Sequence, residues 1–337
     1  MVSGASGPKS RPTIADVGER ALLAAMRGAG AAVPGAVADD IVIGTGDDAA
    51  VLAGNRSTVL TVDTAVQDRH FRLDWSTPNQ IGARSVIASA ADVAAMGARL
   101  SGVLVSIAMP LTTPVELLLG INDGIIEQTH RLGGRVLGGD LVSASEISLS
   151  VTSVGVLDIA PVTLANVRPG DVLALSGPLG GAASGFAAIT HGVDGLRTRA
   201  TETERRSLDA AVRAFVLPSP DLSQGTVAAI AGAHAMTDVS DGLVEELITM
   251  AAASAVRLDV SSNSVPTPDY LPTVAAMLGD PDLARRWALV GGEDHQLLAA
   301  FGGAAPSGWT VIGRAAPGDG SVYVDGVEPN LRGWQSF

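Results

Sequence analysis

Residues 237–243 read Thr-Asp-Val-Ser-Asp-Gly-Leu. The apolar run Ala235 to Val239 predicts a short buried strand, and the stretch SDGLVEELITMAAAS behind it has helical spacing. TDVSDGL is therefore a strand-to-helix turn, with Asp238 and Asp241 three residues apart across it and Ser240 placed to cap the helix. Two readings stand side by side here. One is an ordinary helix start, an N-cap serine with an acid in the first turn that suits the helix dipole. The other is a pair of carboxylates at a strand end, set to share a hard cation.

Outward from this turn the same alternation recurs. Val172 to Ser176 reads as a strand, GPLGGAASG as a glycine-rich turn opening a helix, and Glu202 to Phe215 as a charged amphipathic helix closed by LPSPD. Leu222 to Ala233 and Leu283 to Leu289 are helical, and Arg257 to Val260, HQLLAAF, Trp309 to Arg314 and Ser321 to Val324 are strands. Before Pro161 the pattern gives a helix over Thr13 to Met26 and a strand over Val59 to Asp63. It then gives a helix over Pro78 to Leu100 capped by Ser76 or Thr77, a strand over Gly102 to Met109 and a helix over Thr113 to Leu132. Arg135 to Leu137 runs into a GGD string, and Ile147 to Leu157 is a strand. Pro161 to Gly170 is the candidate boundary. The expected organisation is a flexible leader at 1–12, an α+β domain at 13–160 and an α/β domain at 161–337, so the fold class is α/β.

Composition narrows the function. The 337 residues carry 47% apolar and 17% charged side chains, a soluble globular balance, and a net charge of -13 argues against nucleic acid as the main partner. Absence of cysteine excludes disulfide scaffolds, thiolate zinc sites and thiol nucleophiles. Lys9 is the only lysine, which excludes the lysine-bearing phosphate loop. No apolar run approaches the ~18 residues of a spanning helix, so no membrane partner is expected and the cytoplasm is the default location.

Against this sparse charge, aspartates recur beside glycine: GTGDDAA (Asp47, Asp48), LTVDT (Asp63), AADVAAMGA (Asp92), GGD (Asp140), TDVSDG (Asp238, Asp241) and GGED (Glu293, Asp294). Each alone is an ordinary turn or cap residue. Together they suggest a polynuclear acidic site, in which metal would neutralise phosphate where no lysine can.

The strings IGTGDDAAV, VDTAVQDRHF, ADVAAMGA, GGD, TDVSDGL and RWALVGGED, in this order over Thr13 to Phe337, resemble the thiamine-monophosphate kinase family. That family belongs to the aminoimidazole ribonucleotide synthetase-like ATP-binding superfamily. The resemblance implies ATP-dependent phosphorylation of thiamine monophosphate to thiamine diphosphate by direct in-line transfer with several Mg2+ ions. It also implies an N-terminal domain whose mixed sheet pairs with a second copy in a homodimer. Metal ligands would be Asp48, Thr61, Asp63, Asp92, Asp140, Asp238 and Asp241. ATP contacts would be Gly139, Asp140 and Ser240, and substrate contacts His70, Glu293 and Trp334. No general base is expected, because a phosphate oxygen is already an anionic nucleophile.

The chain departs from the family pattern at SAADVAAMGA, at Leu141 after GGD, at Leu164 with Arg168 as the nearest basic residue, at Gly181, and at His295 and Gln296 in GGEDHQL. His295 would replace a family tyrosine in packing. The alternatives are another ATP-dependent synthetase of the superfamily, selected by activity on formylglycinamidine ribonucleotide, and a nucleotide-binding homologue without turnover.

Overall fold

Thr77 begins the longest helix, and its cap explains where. Its hydroxyl accepts from the Gln80 N–H while the Gln80 side chain accepts from the Thr77 N–H, a reciprocal cap with Pro78 at the first helical position. The computed structural model describes residues 54–330 together with 12–17, 22, 25–26, 41–43, 51–52 and 332–333. In chain order the strands are β1 (Ile41–Ile43), β2 (Val51–Leu52), β3 (Thr58–Val66), β4 (Arg99–Met109), β5 (Arg135–Ser143), β6 (Ser148–Val156), β7 (Val172–Leu175), β8 (Ala233–Asp238), β9 (Val256–Val260), β10 (Leu297–Phe301), β11 (Thr310–Pro317) and β12 (Val322–Val324). The helices are α1 (Ile14–Val17), α2 (Pro78–Ala95), α3 (Val115–Arg131), α4 (Gly181–Thr190), α5 (Val193–Arg199), α6 (Glu202–Val216), α7 (Gln224–Ile230), α8 (Leu243–Ser254), α9 (Leu271–Met277) and α10 (Leu283–Val290).

Beside the antiparallel pair β1–β2, two larger sheets organise these elements. The first has the order β3-β6-β4-β5, antiparallel except for the β4–β5 pair. Its inner face, with Val103, Val105, Ile107, Leu149 and Val151, is buried beneath α2 and α3. Its outer face leaves Leu60 66%, Val62 60% and Val142 44% exposed. The second sheet has the order β12-β9-β11-β7-β10-β8, antiparallel except for β12–β9. One apolar cluster joins the sheets, with Ala90, Val93 and Ala94 of α2 packed with Ala174, Met236, Ala299 and Phe301 of the second sheet. Helix α2 thus lies between them, which is why it is small and apolar all round and why its only charges, Arg84 and Asp92, are conspicuous.

Three sequence expectations shift. The α2 helix stops at Ala95, not Leu100, because the chain turns at Gly97 and Arg99 already pairs in β4. The GGD string is not a loop: β5 runs through it to Ser143, paired with β4. Gly139 is there for a close approach, since a Cβ would lie 2.1 Å from the Val105 carbonyl oxygen. Ser240 is not the cap of α8, which begins after Gly242 with no side-chain cap.

Candidate active site

Four segments converge beside α2. Strand β3 turns Thr61 and Asp63 to its inner face, toward α2, where the Thr61 hydroxyl donates to Asp92 Oδ2 at 2.6 Å. Strand β8 ends at Asp238, and the following turn carries Asp241. The fourth segment, Gly291 to Gln296, is stitched to that turn. The Glu293 N–H donates to the Ser240 carbonyl at 2.7 Å, and the His295 N–H to the Val239 carbonyl at 3.0 Å. Gly292 lets the backbones close, for a Cβ would lie 2.3 Å from the Ser240 oxygen.

Glu293 and His295 both have left-handed backbones, with φ of 71° and 52°. Such residues persist only where surroundings hold them. Here the anchor is Asp294, whose carboxylate accepts from the Gly180 N–H at 2.6 Å and the Ala182 N–H at 2.8 Å at the start of α4. With Asp294 pinned, its neighbours meet the acidic turn. His295 is buried, its Nδ1 3.0 Å from Asp238 Oδ2 and its Nε2 3.6 Å from Glu293 Oε2. Burial works against a charged imidazole, but the two carboxylates outweigh it and raise its pKa to about 10. His295 therefore bridges two acids, a role beyond tyrosine-like packing. Arg84 approaches Glu293 from α2, with Nη2 2.9 Å from Oε2. Partial burial tends to raise the Glu293 pKa, yet Arg84 and His295 hold it well below the ordinary value.

The other acids behave oppositely. Burial, then Asp238 and Asp63, raise Asp92 to about 6 against the Thr61 hydrogen bond. Asp63 is raised by burial and, against His295, by Asp238 and Glu293, and Asp241 by burial, Glu293 and Asp238. Glu246, on the first turn of α8, is raised to about 7 by burial and by Asp238. Carboxylates that burial and mutual repulsion discourage from ionising form a site short of positive charge. All the donors are oxygens, the ligand set of a hard cation. Among the described residues no three Asp, Glu or His side chains close around one point as a ready-made metal cage.

Thr61, Asp63, Asp92, Asp238, Asp241 and Glu293 are thus brought together, and the Ser240 backbone braces them. His70 is exposed in the turn after β3 but near enough to act on Asp63. Its Nδ1 accepts from the Val66 N–H at 3.1 Å, which leaves Nε2 as the open donor. Gly139 lies three strands from Asp63 in the same row, a span of about 14 Å. Asp140 pairs with Ser106 on the outer face of the sheet, away from the cluster. Asp48 and Trp334 lie outside the described residues. Sequence reasoning passed over Arg84 and Glu246. The signal for Arg84 was there, a lone basic residue within an otherwise uncharged first half of α2.

Comparison with known proteins follows the same lines. Residues 46–157 match the AIR synthase related protein N-terminal domain, and residues 168–325 its C-terminal domain. A thiamine-monophosphate kinase of Mycobacterium tuberculosis is 42% identical over 302 residues, covering 88% of this chain and 86% of that one. The solved thiamine-monophosphate kinase of Stenotrophomonas maltophilia K279a has a TM-score of 0.75 at 30% identity, covering 91% of this chain and 96% of that one. AaThiL complexed with AMPPCP and TMP has a TM-score of 0.75 at 26% identity, covering 86% and 91%.

Proposed function

The chain belongs to the thiamine-monophosphate kinase family of AIR synthase-related proteins, and from that premise we infer that its acidic cleft carries phosphoryl transfer from ATP to thiamine monophosphate. The observation that carries the reading is the convergence, from both sheets, of carboxylates that are hard to ionise without added positive charge.

We assign the metal ligands of this cleft to Thr61, Asp63, Asp92, Asp238 and Asp241, with Asp48 completing the set, and assign Asp140 to metal from the outer face of the sheet. The oxygen-only donors fit magnesium, which is usually shared between one or two carboxylates and substrate phosphates. Bound there, Mg2+ would offset the repulsion between the two anionic substrates. The residues do the rest. His70 offers an Nε2–H to the acceptor. Glu293, kept ionised by Arg84 and His295, faces the cleft with one oxygen free. Gly139, Asp140 and Ser240 are assigned to ATP, and Trp334 to the acceptor. The acceptor phosphate supplies its own nucleophilic oxygen, so no side chain has to remove a proton.

We further propose a homodimer closed over the outer face of the first sheet, supported by the exposure of Leu60, Val62 and Val142 there. Asp140 stands on that same face, so its role is exercised at or across that interface. An ATP-consuming reaction of this kind suits the cytoplasm, and no helix among the described residues is long and apolar enough to cross a membrane.

The test is direct. The purified chain with MgATP and thiamine monophosphate should form thiamine diphosphate, and Asp241→Asn should lower kcat by on the order of 100-fold or more. Absence of product from the parent chain overturns the reading.

A further inference from the structure

We propose that Arg84 is a positioning residue for the acceptor, acting through Glu293; the inference rests on the kinase reading above. Arg84 is 8% exposed and 209 residues from its partner in sequence. Its Nη2 donates to Glu293 Oε2 at 2.9 Å, while Nη1 is buried and has no hydrogen-bond acceptor among the described residues. The guanidinium carbon sits 4.6 Å from the centre of the Phe215 ring, so the group is held from α6 as well as from the 291–296 loop. The side chain it grips is not buried with it: that of Glu293 is 41% exposed. Among the described residues Glu293 Oε1 receives no hydrogen bond.

The arrangement divides the carboxylate. Arg84 takes one oxygen and leaves the other open in the cleft. That open oxygen lies among acids, Asp63 and Asp241 being close enough to repel it. A phosphate would be driven away from it. Apart from the metal proposed above, what it can receive is an N–H donor or a positively charged ring. Thiamine monophosphate has both, in its aminopyrimidine and its thiazolium. Arg84 therefore serves recognition of the ring portion of the acceptor and has no part in the transfer step. The guanidinium, held against the Phe215 ring and donating through Nη2, fixes the carboxylate in direction as well as in charge, whereas lysine would supply charge alone.

The test measures kcat, and KM for each substrate, on the full chain for R84M, R84K, E293Q and the double variant R84M/E293Q, with thermal midpoints alongside. R84M should raise KM for thiamine monophosphate on the order of 10- to 100-fold, with kcat and KM for ATP within about threefold of the parent. R84K should recover part of the loss, and adding R84M to E293Q should cost little more, because both act on one contact. A parental acceptor KM in R84M, an equal rise in both KM values, or full additivity with E293Q overturns the inference. If R84M does not fold, R84Q takes its place. Loss of fold in both, with R84K folded, assigns the charge to stability and also overturns it. A parent chain that forms no thiamine diphosphate brings down the kinase reading itself, and this inference with it.

Discussion

Asp92→Asn should stabilise the metal-free protein while destroying its activity, and the pH at which it is measured decides the size of the gain. In the fold the Asp92 pKa is raised from 3.8 to about 6, by burial first and then by Asp238 and Asp63. The folded chain thus holds this proton more tightly than the unfolded chain does. The stability it contributes is complete below pH ~4 and is lost as pH rises through 6. Above that, the ionised carboxylate costs about 3 kcal/mol, at about 1.4 kcal/mol for each pH unit of displacement. Asn removes that cost and keeps an oxygen for the Thr61 hydroxyl, which now donates to the carboxylate at 2.6 Å. Because the Asp63 pKa is raised beside that of Asp92, part of the gain is shared, and about 1–3 kcal/mol is expected at pH 8. At pH 5 the gain should fall to about half. Urea unfolding in EDTA at the two pH values measures it, and turnover with saturating Mg2+ should drop on the order of 100-fold. Added Mg2+ with ATP should stabilise the parent and leave the variant nearly unmoved. An Asp92→Asn protein less stable than the parent at pH 8 in EDTA, or a gain equal at both pH values, would refute the electrostatic account of the cleft.

Two further outcomes follow from the same geometry. Asp294→Ala leaves the Gly180 and Ala182 N–H groups without their acceptor and should cost about 2–5 kcal/mol in denaturant unfolding; a loss below about 0.5 kcal/mol would mean that the carboxylate does not anchor the loop. Val62→Asp puts a charge on the open face of the first sheet, where Val62 is 60% exposed, and should shift the proposed dimer to monomer in light scattering with its circular dichroism unchanged. A variant that stays dimeric would place the interface elsewhere.

Local signals in the chain were enough for the strand-turn-helix at 237–243, for a cap at Ser76 or Thr77, which the structure places at Thr77, and for the amphipathic helix from Glu202, since each depends on neighbours a few residues away. They misled at the GGD string, where glycine suggested a loop. Those glycines serve an adjacent strand, and only the pairing of β5 with β4 shows it. The acids of the site were legible as a set through their contrast with a low-charge chain. Their grouping was not, because Thr61 meets Asp92 across 31 residues and Arg84 meets Glu293 across 209. His295 looked like a packing substitute because its partner Asp238 is 57 residues earlier in the chain.

The segment Glu293-Asp294-His295 shows how a few residues can wire a site at some cost to stability. Left-handed backbone at a side-chain-bearing residue costs roughly 1–2 kcal/mol, and this segment has it twice, at Glu293 and His295. The alternation sends Asp294 one way, into the N-terminus of α4, and the two flanking side chains the other, toward Asp238 and Arg84. Two hydrogen bonds to Asp294 hold the segment against that backbone cost, although burial outweighs them on the carboxylate itself and raises its pKa to about 6. A relaxed loop would need no such anchor, but it would not hold a guanidinium, a carboxylate, an imidazole and a second carboxylate in one row. That row, Arg84–Glu293–His295–Asp238, fixes the spacing between the α2 side of the cleft and the β8 side. The strain is therefore located where the two halves of the site must keep register, and relieving it by glycine at 293 or 295 should loosen acceptor binding before it loosens the fold.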